Sequence, residues 1–379
     1  MPSPHIVLAG EGGHSHLLSG LAVAEALVRC LPDAAITFVG SGRPIDRHAV
    51  RERGFAYIAI PSQPPPQGPL EAFRFLAENV VGYWASRWIL REQQVSLVIG
   101  FGGLTSGVMS RAAVARGLPT MLLEQNAVPS RITRWFARSA AAICTSFAET
   151  ASLLPPDARV HLTGFPVPAA IASLADTIPA ACRPAEMRQR RMLVLGGNFG
   201  AASLNQVVPP ALGRLRRQLA EWHLVHQTGA GQLQAVETRY QAAGIDALAV
   251  CFIDELAHVL GETDLAVCRP GGTTLAELAA AGVPALLLPH PDAADDYHLA
   301  NAQHYASAGG CRLLDERTCE GHLEEGLAGE LDALLKSGAG RAEMATAMRG
   351  LSHPGAAHEI AALAFRLLDS GVDSVPLAA

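Results

Sequence analysis

The sequence predicts an α/β protein built as two Rossmann-like, doubly wound parallel-sheet domains facing across a cleft. Three observations predict this class. Short apolar runs alternate with helical patterns along the whole chain, the pattern of crossovers on a sheet covered on both faces. The alternation breaks near residues 165–190, in a stretch carrying Pro179, Pro184 and several arginines, and then begins again. At 379 residues the chain is long enough for two separate cores.

In the first half, strands are expected at His5–Ala9, Ala35–Gly40, Phe55–Ile60, Ser96–Gly100, Pro119–Leu123, Ala141–Cys144 and Val160–Thr163. Helices are expected over Leu21–Leu31, Pro44–Arg53, Leu70–Gln93 and up to Arg116. The proline-rich PSQPPPQGP that precedes Leu70 cannot lie inside a sheet. The second half opens with RMLVLGG (Arg191–Gly197), a turn at NFGAAS and a helix over Leu204–Leu219. Strands follow at Trp222–His226, Ala249–Phe252, Leu265–Cys268, Ala285–Leu288 and Cys311–Leu314, and a helix closes the chain over Pro354–Asp369. The expected division is an N-terminal domain of residues 1–164, a linker of 165–190 and a C-terminal domain of 191–353. The helix over 354–369 is expected near the domain junction.

Composition narrows the function. Hydrophobic residues make up 49% and charged residues 17%, a globular balance. The net charge of −6 argues against a nucleic-acid partner held by bulk charge. Seven cysteines without a C-x-x-C argue for reduced thiols and against a zinc site, and no acidic metal-binding pair is found. MPSPHIVLAG enters a strand directly with no basic leader, so no signal peptide is expected. The uncharged run Val95–Ser110 is too short and glycine-rich to span a membrane.

The chemistry is expected at four glycine-rich strand-to-helix turns: Gly10–Gly20, Gly100–Gly107, Gly196–Gly200 and Gly271-Gly272. Such turns let backbone N–H groups approach an anion. No P-loop motif and no dinucleotide fingerprint occurs. In CRPGGTTLAELAAAG, Thr274 and Glu277 are spaced as a capping box, with Thr274 at the N-cap. Glu277 is therefore either a helix cap or a carboxylate that accepts ribose hydroxyls. His14 is either a general base near neutral pH or a histidine bound to loop backbone, with His16 as its rival. Glu124-Gln125-Asn126 follow a strand end, as a cleft segment or an ordinary polar loop. Phe73, Leu76, Val80, Tyr83, Trp84 and Trp88 form a helical stripe with Arg74, Arg87 and Arg91 nearby. It reads as a core-packed helix or as an interfacial membrane patch.

These motifs together resemble the MurG family of N-acetylglucosaminyltransferases, which are GT-B glycosyltransferases. The resemblance rests on GEGGH (Gly10–His14), FGGLTSG (Phe101–Gly107), LEQN (Leu123–Asn126), GFPV (Gly164–Val167), GGNFGA (Gly196–Ala201), FIDEL (Phe252–Leu256), RPGGTTLAELAAAGVPALLLP (Arg269–Pro289) and Asn301-Ala302. It implies an inverting transfer of N-acetylglucosamine from UDP-GlcNAc to undecaprenyl-diphosphate-linked N-acetylmuramyl-pentapeptide, a step of peptidoglycan synthesis. It implies a peripheral enzyme on the cytoplasmic face of the bacterial membrane, held there through helix 70–93. It implies no required cofactor, with Mg²⁺ at most stimulatory. His14 would be the base. Gly272, Thr273 and Thr274 would hold the diphosphate, Glu277 the ribose and Ile253 the uracil, with Leu275 also in the donor set. Gly12, Gly13, Asn126, Asn198, Tyr297 and His298 complete the implied donor set. Gly102, Gly103 and Glu124 would meet the acceptor. The chain departs from the family pattern in the 10–20 loop, at Pro168 where arginine is expected, at Asn198, and at Tyr297-His298 where glutamine is expected. These departures leave two alternatives: a GT-B transferase for another sugar or lipid acceptor, and a catalytically weak paralogue that binds UDP-sugar.

Overall fold

A computed structural model of the chain describes residues 3–11, 14–63, 69–184, 189–196, 202–291, 293 and 296–369, with the side chains of 14, 15, 69–74 and 76 left out. The chain divides into two compact units, Met1–Pro168 with Gly355–Ala379, and Ala169–Pro354.

The first unit holds β1 (His5–Ala9), α1 (His14–Cys30), β2 (Ala35–Gly40), α2 (Pro44–Glu52), β3 (Ala56–Ala59), α3 (Pro69–Glu92), β4 (Val95–Gly100), α4 (Gly103–Val114), β5 (Thr120–Glu124), α5 (Arg131–Phe136), β6 (Ala142–Thr145) and β7 (Val160–Leu162). Its strands form one parallel sheet in the order β3-β2-β1-β4-β5-β6-β7. Val7 of β1 sits between Thr37 of β2 and Val98 of β4. Ile6, Val7 and Leu8 are fully buried, as are Leu97, Val98 and Ile99. Helices on both faces explain why these strands read as unbroken apolar runs. The winding reverses between β1 and β4, so the glycine turns after these two strands both open at the switch point, where doubly wound sheets bind ligands.

Helix α1 begins at His14, a full two turns before the expected start near Leu21. Leu17, Leu21, Ala24 and Leu27 are all buried at helical spacing, so the apolar face runs back through HSHLLSG. The stretch that reads as a long glycine loop is thus largely helix.

The second unit holds α6 (Ala169–Ala172), β8 (Arg190–Leu195), α7 (Ala202–Gly213), β9 (Trp222–Gln227), α8 (Leu233–Ala243), β10 (Leu248–Val250), α9 (Leu256–Gly261), β11 (Leu265–Cys268), α10 (Gly272–Ala281), β12 (Ala285–Leu287), α11 (Tyr297–Ser307), β13 (Cys311–Leu313), α12 (Leu323–Lys336) and α13 (Gly338–Gly350). The parallel order is β10-β9-β8-β11-β12-β13, with its switch point between β8 and β11. Met192, Val194, Leu265, Val267 and Leu286 share one core with Leu204, Leu224 and Leu331. Residues read from sequence as linker are tied to this unit. Arg349 of α13 donates to Leu174 O at 2.8 Å, and Arg183 pairs with Glu262 at 2.9 Å. The final helix, α14 (Ala356–Asp369), returns to the first unit and packs on α1.

Candidate functional site

In the second unit the site is built at the head of α10. The helix begins at Gly272 with Gly271 as N-cap, and no side chain caps it. The expected capping box is therefore absent. Leu275 N already bonds Gly271 O at 3.0 Å, which places Thr274 inside the first turn and Glu277 in the helix body. Two glycines let the chain turn into the helix sooner than a threonine cap would. Glu277 is thus left without a capping role. It is buried, 5% exposed, and burial pushes its carboxyl up to about 8, so it is protonated at neutral pH. Thr273, also buried, precedes it by one turn on the same face.

Buried Asn301 and the largely shielded Arg269 fix the turn before α10; both lie in motifs that carry the resemblance, but nothing local in the sequence gives them this bracing role. Asn301 of α11 donates its Nδ2 to Pro270 O at 3.0 Å. The Arg269 guanidinium donates to Leu288 O at 2.7 Å and Pro289 O at 2.9 Å, and also contacts Ser203 Oγ and the Glu316 carboxylate. Arg269 and Glu316 are 10% and 13% exposed, so this ion pair is largely shielded from water. The result is a rigid strand end that aims the first N–H groups of α10, with their partial positive charge, at whatever lies before them. An anionic diphosphate suits that position, and a carboxyl one turn deeper suits sugar hydroxyls.

The other residues expected to meet the donor are placed as follows. Leu275 is fully buried in the core, so only its backbone is available to a ligand. The Ile253 amide donates to Gln227 Oε1 at 3.1 Å. A base read by Ile253 would use its carbonyl or displace Gln227. Tyr297 and His298 begin α11 with their rings 4.5 Å apart, edge to face. His298 Nδ1 accepts from His290 N at 3.2 Å. Burial first, then the charges of Arg269 and His290, lower His298 to about 4, so its ring is neutral. Asn198 lies outside the described residues, as do Gly12 and Gly13.

In the first unit, Gly102 and Gly103 turn the chain into α4 with φ of +112° and +76°, which favour glycine. His14 heads α1, but its side chain is outside the described set. The imidazole that the structure does place at this turn is His16. Its Nε2 lies 2.7 Å from Gln125 Nε2, and its buried Nδ1 has no hydrogen-bond partner among the described residues. A Cβ on Gly102 would lie 3.0 Å from that nitrogen. Burial lowers His16 to about 4, so the ring is neutral. Glu124 is turned inward. Its carboxylate accepts from Asn126 N at 3.2 Å, Ser130 N at 2.8 Å and Thr133 Oγ1 at 2.6 Å. It shapes the loop carrying Gln125 and Asn126, and no oxygen is turned toward a ligand. Asn126 O in turn accepts from Thr150 Oγ1 at 3.2 Å.

On α3, the buried face is Ser86, Ile89 and Leu90, while Val80, Val81, Trp84 and Trp88 are exposed. Core packing therefore accounts for only part of the apolar stripe. Phe73, Arg74 and Leu76 have side chains outside the described set.

A two-unit α/β protein with an uncapped helix head and a buried carboxyl at the second switch point is built as a nucleotide-sugar glycosyltransferase of the GT-B fold. The model of the glycosyltransferase family 28 N-terminal domain matches residues 6–145, and that of the family 28 C-terminal domain matches residues 191–360. The UDP-N-acetylglucosamine–N-acetylmuramyl-(pentapeptide) pyrophosphoryl-undecaprenol N-acetylglucosamine transferase of Trichlorobacter lovleyi is 34% identical over 85% of this chain and 88% of its own. Its namesake in Syntrophotalea carbinolica is 33% identical over 94% of this chain and 96% of its own. The crystal structure of Acinetobacter baumannii MurG superposes with a TM-score of 0.74 at 26% identity, covering 96% of this chain and 99% of that one. The chain belongs to the MurG family of N-acetylglucosamine transferases, within glycosyltransferase family 28.

Proposed function

We infer that the protein transfers N-acetylglucosamine, with inversion, from UDP-GlcNAc to undecaprenyl-diphosphate-linked N-acetylmuramyl-pentapeptide. The observation that carries the reading is the head of α10, held by Arg269 and Asn301, with Thr273 and Glu277 buried behind it. The diphosphate of UDP would accept hydrogen bonds from the amides of Gly272, Thr273 and Thr274. The ribose hydroxyls would donate to Glu277. The muramyl 4-hydroxyl attacks the anomeric carbon as the bond to the β-phosphate oxygen breaks. The electron pair leaves with UDP, whose growing charge the helix dipole stabilises. The hydroxyl proton goes to His14. His16 is the second reading, favoured by its neutral ring and unpartnered Nδ1 beside Gly102. Turnover that survives His14→Gln but is lost in His16→Gln would select it.

Similarity over nearly the full length to relatives of this name argues against another sugar, another acceptor or an inactive paralogue. UDP release from UDP-GlcNAc in the presence of the lipid acceptor tests the reaction. No release with an acceptor that a known transferase consumes would refute it. The chemistry draws on no resident metal; EDTA should leave the rate unchanged and Mg²⁺ should at most stimulate.

The same reading places the protein at the cytoplasmic face of the membrane, held from the side through α3. A groove of about 870 Å³ lined by Tyr83, Trp84, Val108, Arg111, Trp135 and Phe136 supports it. Trp84 and Trp135 are 63% and 85% exposed, and Arg87 lies over the Tyr83 and Trp84 rings. Aromatics beside arginines suit an anionic lipid surface. No helix among the described residues is long and apolar enough to cross a membrane. Sedimentation with anionic vesicles should fall several-fold in the Trp84→Ala/Trp135→Ala double variant; equal sedimentation would remove α3 as the contact.

A further inference from the structure

Glu11 lies two residues past the end of β1, inside GEGGH, and the sequence assigns it no role. Its N–H donates to Gly102 O at 3.0 Å. Its Oε1 accepts from the amides of Leu104 and Thr105, at 3.0 and 3.2 Å. Its Oε2 lies 3.3 Å from the Ser62 hydroxyl, which is hydrogen-bonded at 2.9 Å to Thr105 Oγ1. Leu104 and Thr105 belong to the first turn of α4, whose amides have no partner within the helix and attract an anion. The fit is close: a Cβ on Gly103 would come within 2.4 Å of both Glu11 Cγ and Glu11 O. An acidic side chain thus sits on the amides that the second glycine turn would offer to the acceptor's diphosphate. A second observation marks the same turn as a ligand position. The buried Nδ1 of His16 lacks a partner and faces Gly102.

We propose that Glu11 is a built-in placeholder for the acceptor's diphosphate and a determinant of acceptor specificity. It holds the α4 amides until the acceptor displaces it. This rests on the acceptor reading given above. A diphosphate carries more charge than one carboxylate, so it gains more from the helix head and can displace Glu11. A neutral alcohol acceptor gains nothing there and leaves Glu11 in place. The carboxylate therefore favours acceptors bearing a diphosphate by excluding those without one.

Glu11→Gln tests this. The amide oxygen still accepts from Leu104 and Thr105 but without charge, so it should yield more easily. The acceptor KM should fall by about two- to ten-fold, with kcat and the donor KM unchanged. Ser62→Ala, which removes the other support of Glu11, should act in the same direction more weakly, and it decides the matter if Glu11→Gln does not fold. An unchanged or raised acceptor KM overturns the placeholder. Calorimetric titration of the full chain with inorganic pyrophosphate, after the donor site is saturated with UDP, is the second arm. Tighter binding by Glu11→Gln than by wild type supports the proposal; equal or weaker binding overturns it. If the wild-type protein shows no turnover at all, the reaction proposed above fails and the pyrophosphate arm alone decides the role of Glu11.

Discussion

The heads of α4 and α10 occupy equivalent places in two sheets of the same winding, yet they are finished differently. At α4, two left-handed glycines bring the chain round and Glu11 covers the first amides. At α10, Gly271 has an ordinary φ of −71°, no side chain caps the helix, and Arg269 and Asn301 brace the turn from behind. Topology provides an anion-binding position twice. Side chains arriving from elsewhere decide whether it is presented to a ligand or held by the protein itself.

The largest effect that would break this comparison is at Glu277. Above about pH 8, where its carboxyl is ionised, Glu277→Gln should raise the donor KM by roughly 10- to 100-fold, the worth of hydrogen bonds to a charged group. Initial rates against UDP-GlcNAc check it, and a wild-type KM would move the ribose elsewhere. The pH dependence sharpens the same point. With its carboxyl raised to about 8, Glu277 binds a proton when folded that it has lost when unfolded. Its contribution to stability is complete below about 4.5 and is lost as pH rises toward about 8. Glu277→Gln should flatten that part of a melting-temperature profile, and donor KM in the wild type should fall as pH rises through the same window.

Next comes Arg269→Ala, which leaves Glu316 shielded and unpaired and should cost roughly 3 kcal/mol in a urea titration of the second unit's transition. A loss below about 1 kcal/mol would mean that the pair is well solvated. Gly103→Ala should cost about 2 kcal/mol, since it forces a side chain to φ of +76° against Glu11. Gly271→Ala is the contrasting change and the smallest in stability. Its Cβ would meet nothing nearer than Thr274 Oγ1 at 4.0 Å, so the melting temperature should barely move. The added methyl stands where the donor's diphosphate is proposed to bind, so on that reading the donor KM should rise. Equal losses of stability at Gly103 and Gly271 would erase the difference between the two helix heads.

The central strands were legible because they are short apolar runs buried on both faces, and the alternation of strands with helices implies parallel winding. The Gly102-Gly103 turn was legible because only glycine readily allows those backbone angles and that close approach to Glu11. Three features were not. Thr274 and Glu277 have the spacing of a cap, but the helix starts three residues earlier, with Gly271 as its N-cap, and nothing local records that. Glu124 looks like an exposed loop acid, yet the partners that enclose it include Ser130 and Thr133, six and nine residues away. HSHLLSG looks like loop because its glycine and serines mask an apolar face that only the sheet beneath it reveals.

By itself, then, the sequence determined the α/β class, the two sheets and the positions of the glycine turns, because periodicity and backbone permissiveness are local properties of a chain. Only the tertiary structure decided that Glu277 is a buried carboxyl and not a cap, that Arg269 and Asn301 hold the turn before it, and that Glu11 lies on the head of α4. Each of those depends on groups brought together from distant parts of the chain, where burial and hydrogen bonding set the charge and the available partners.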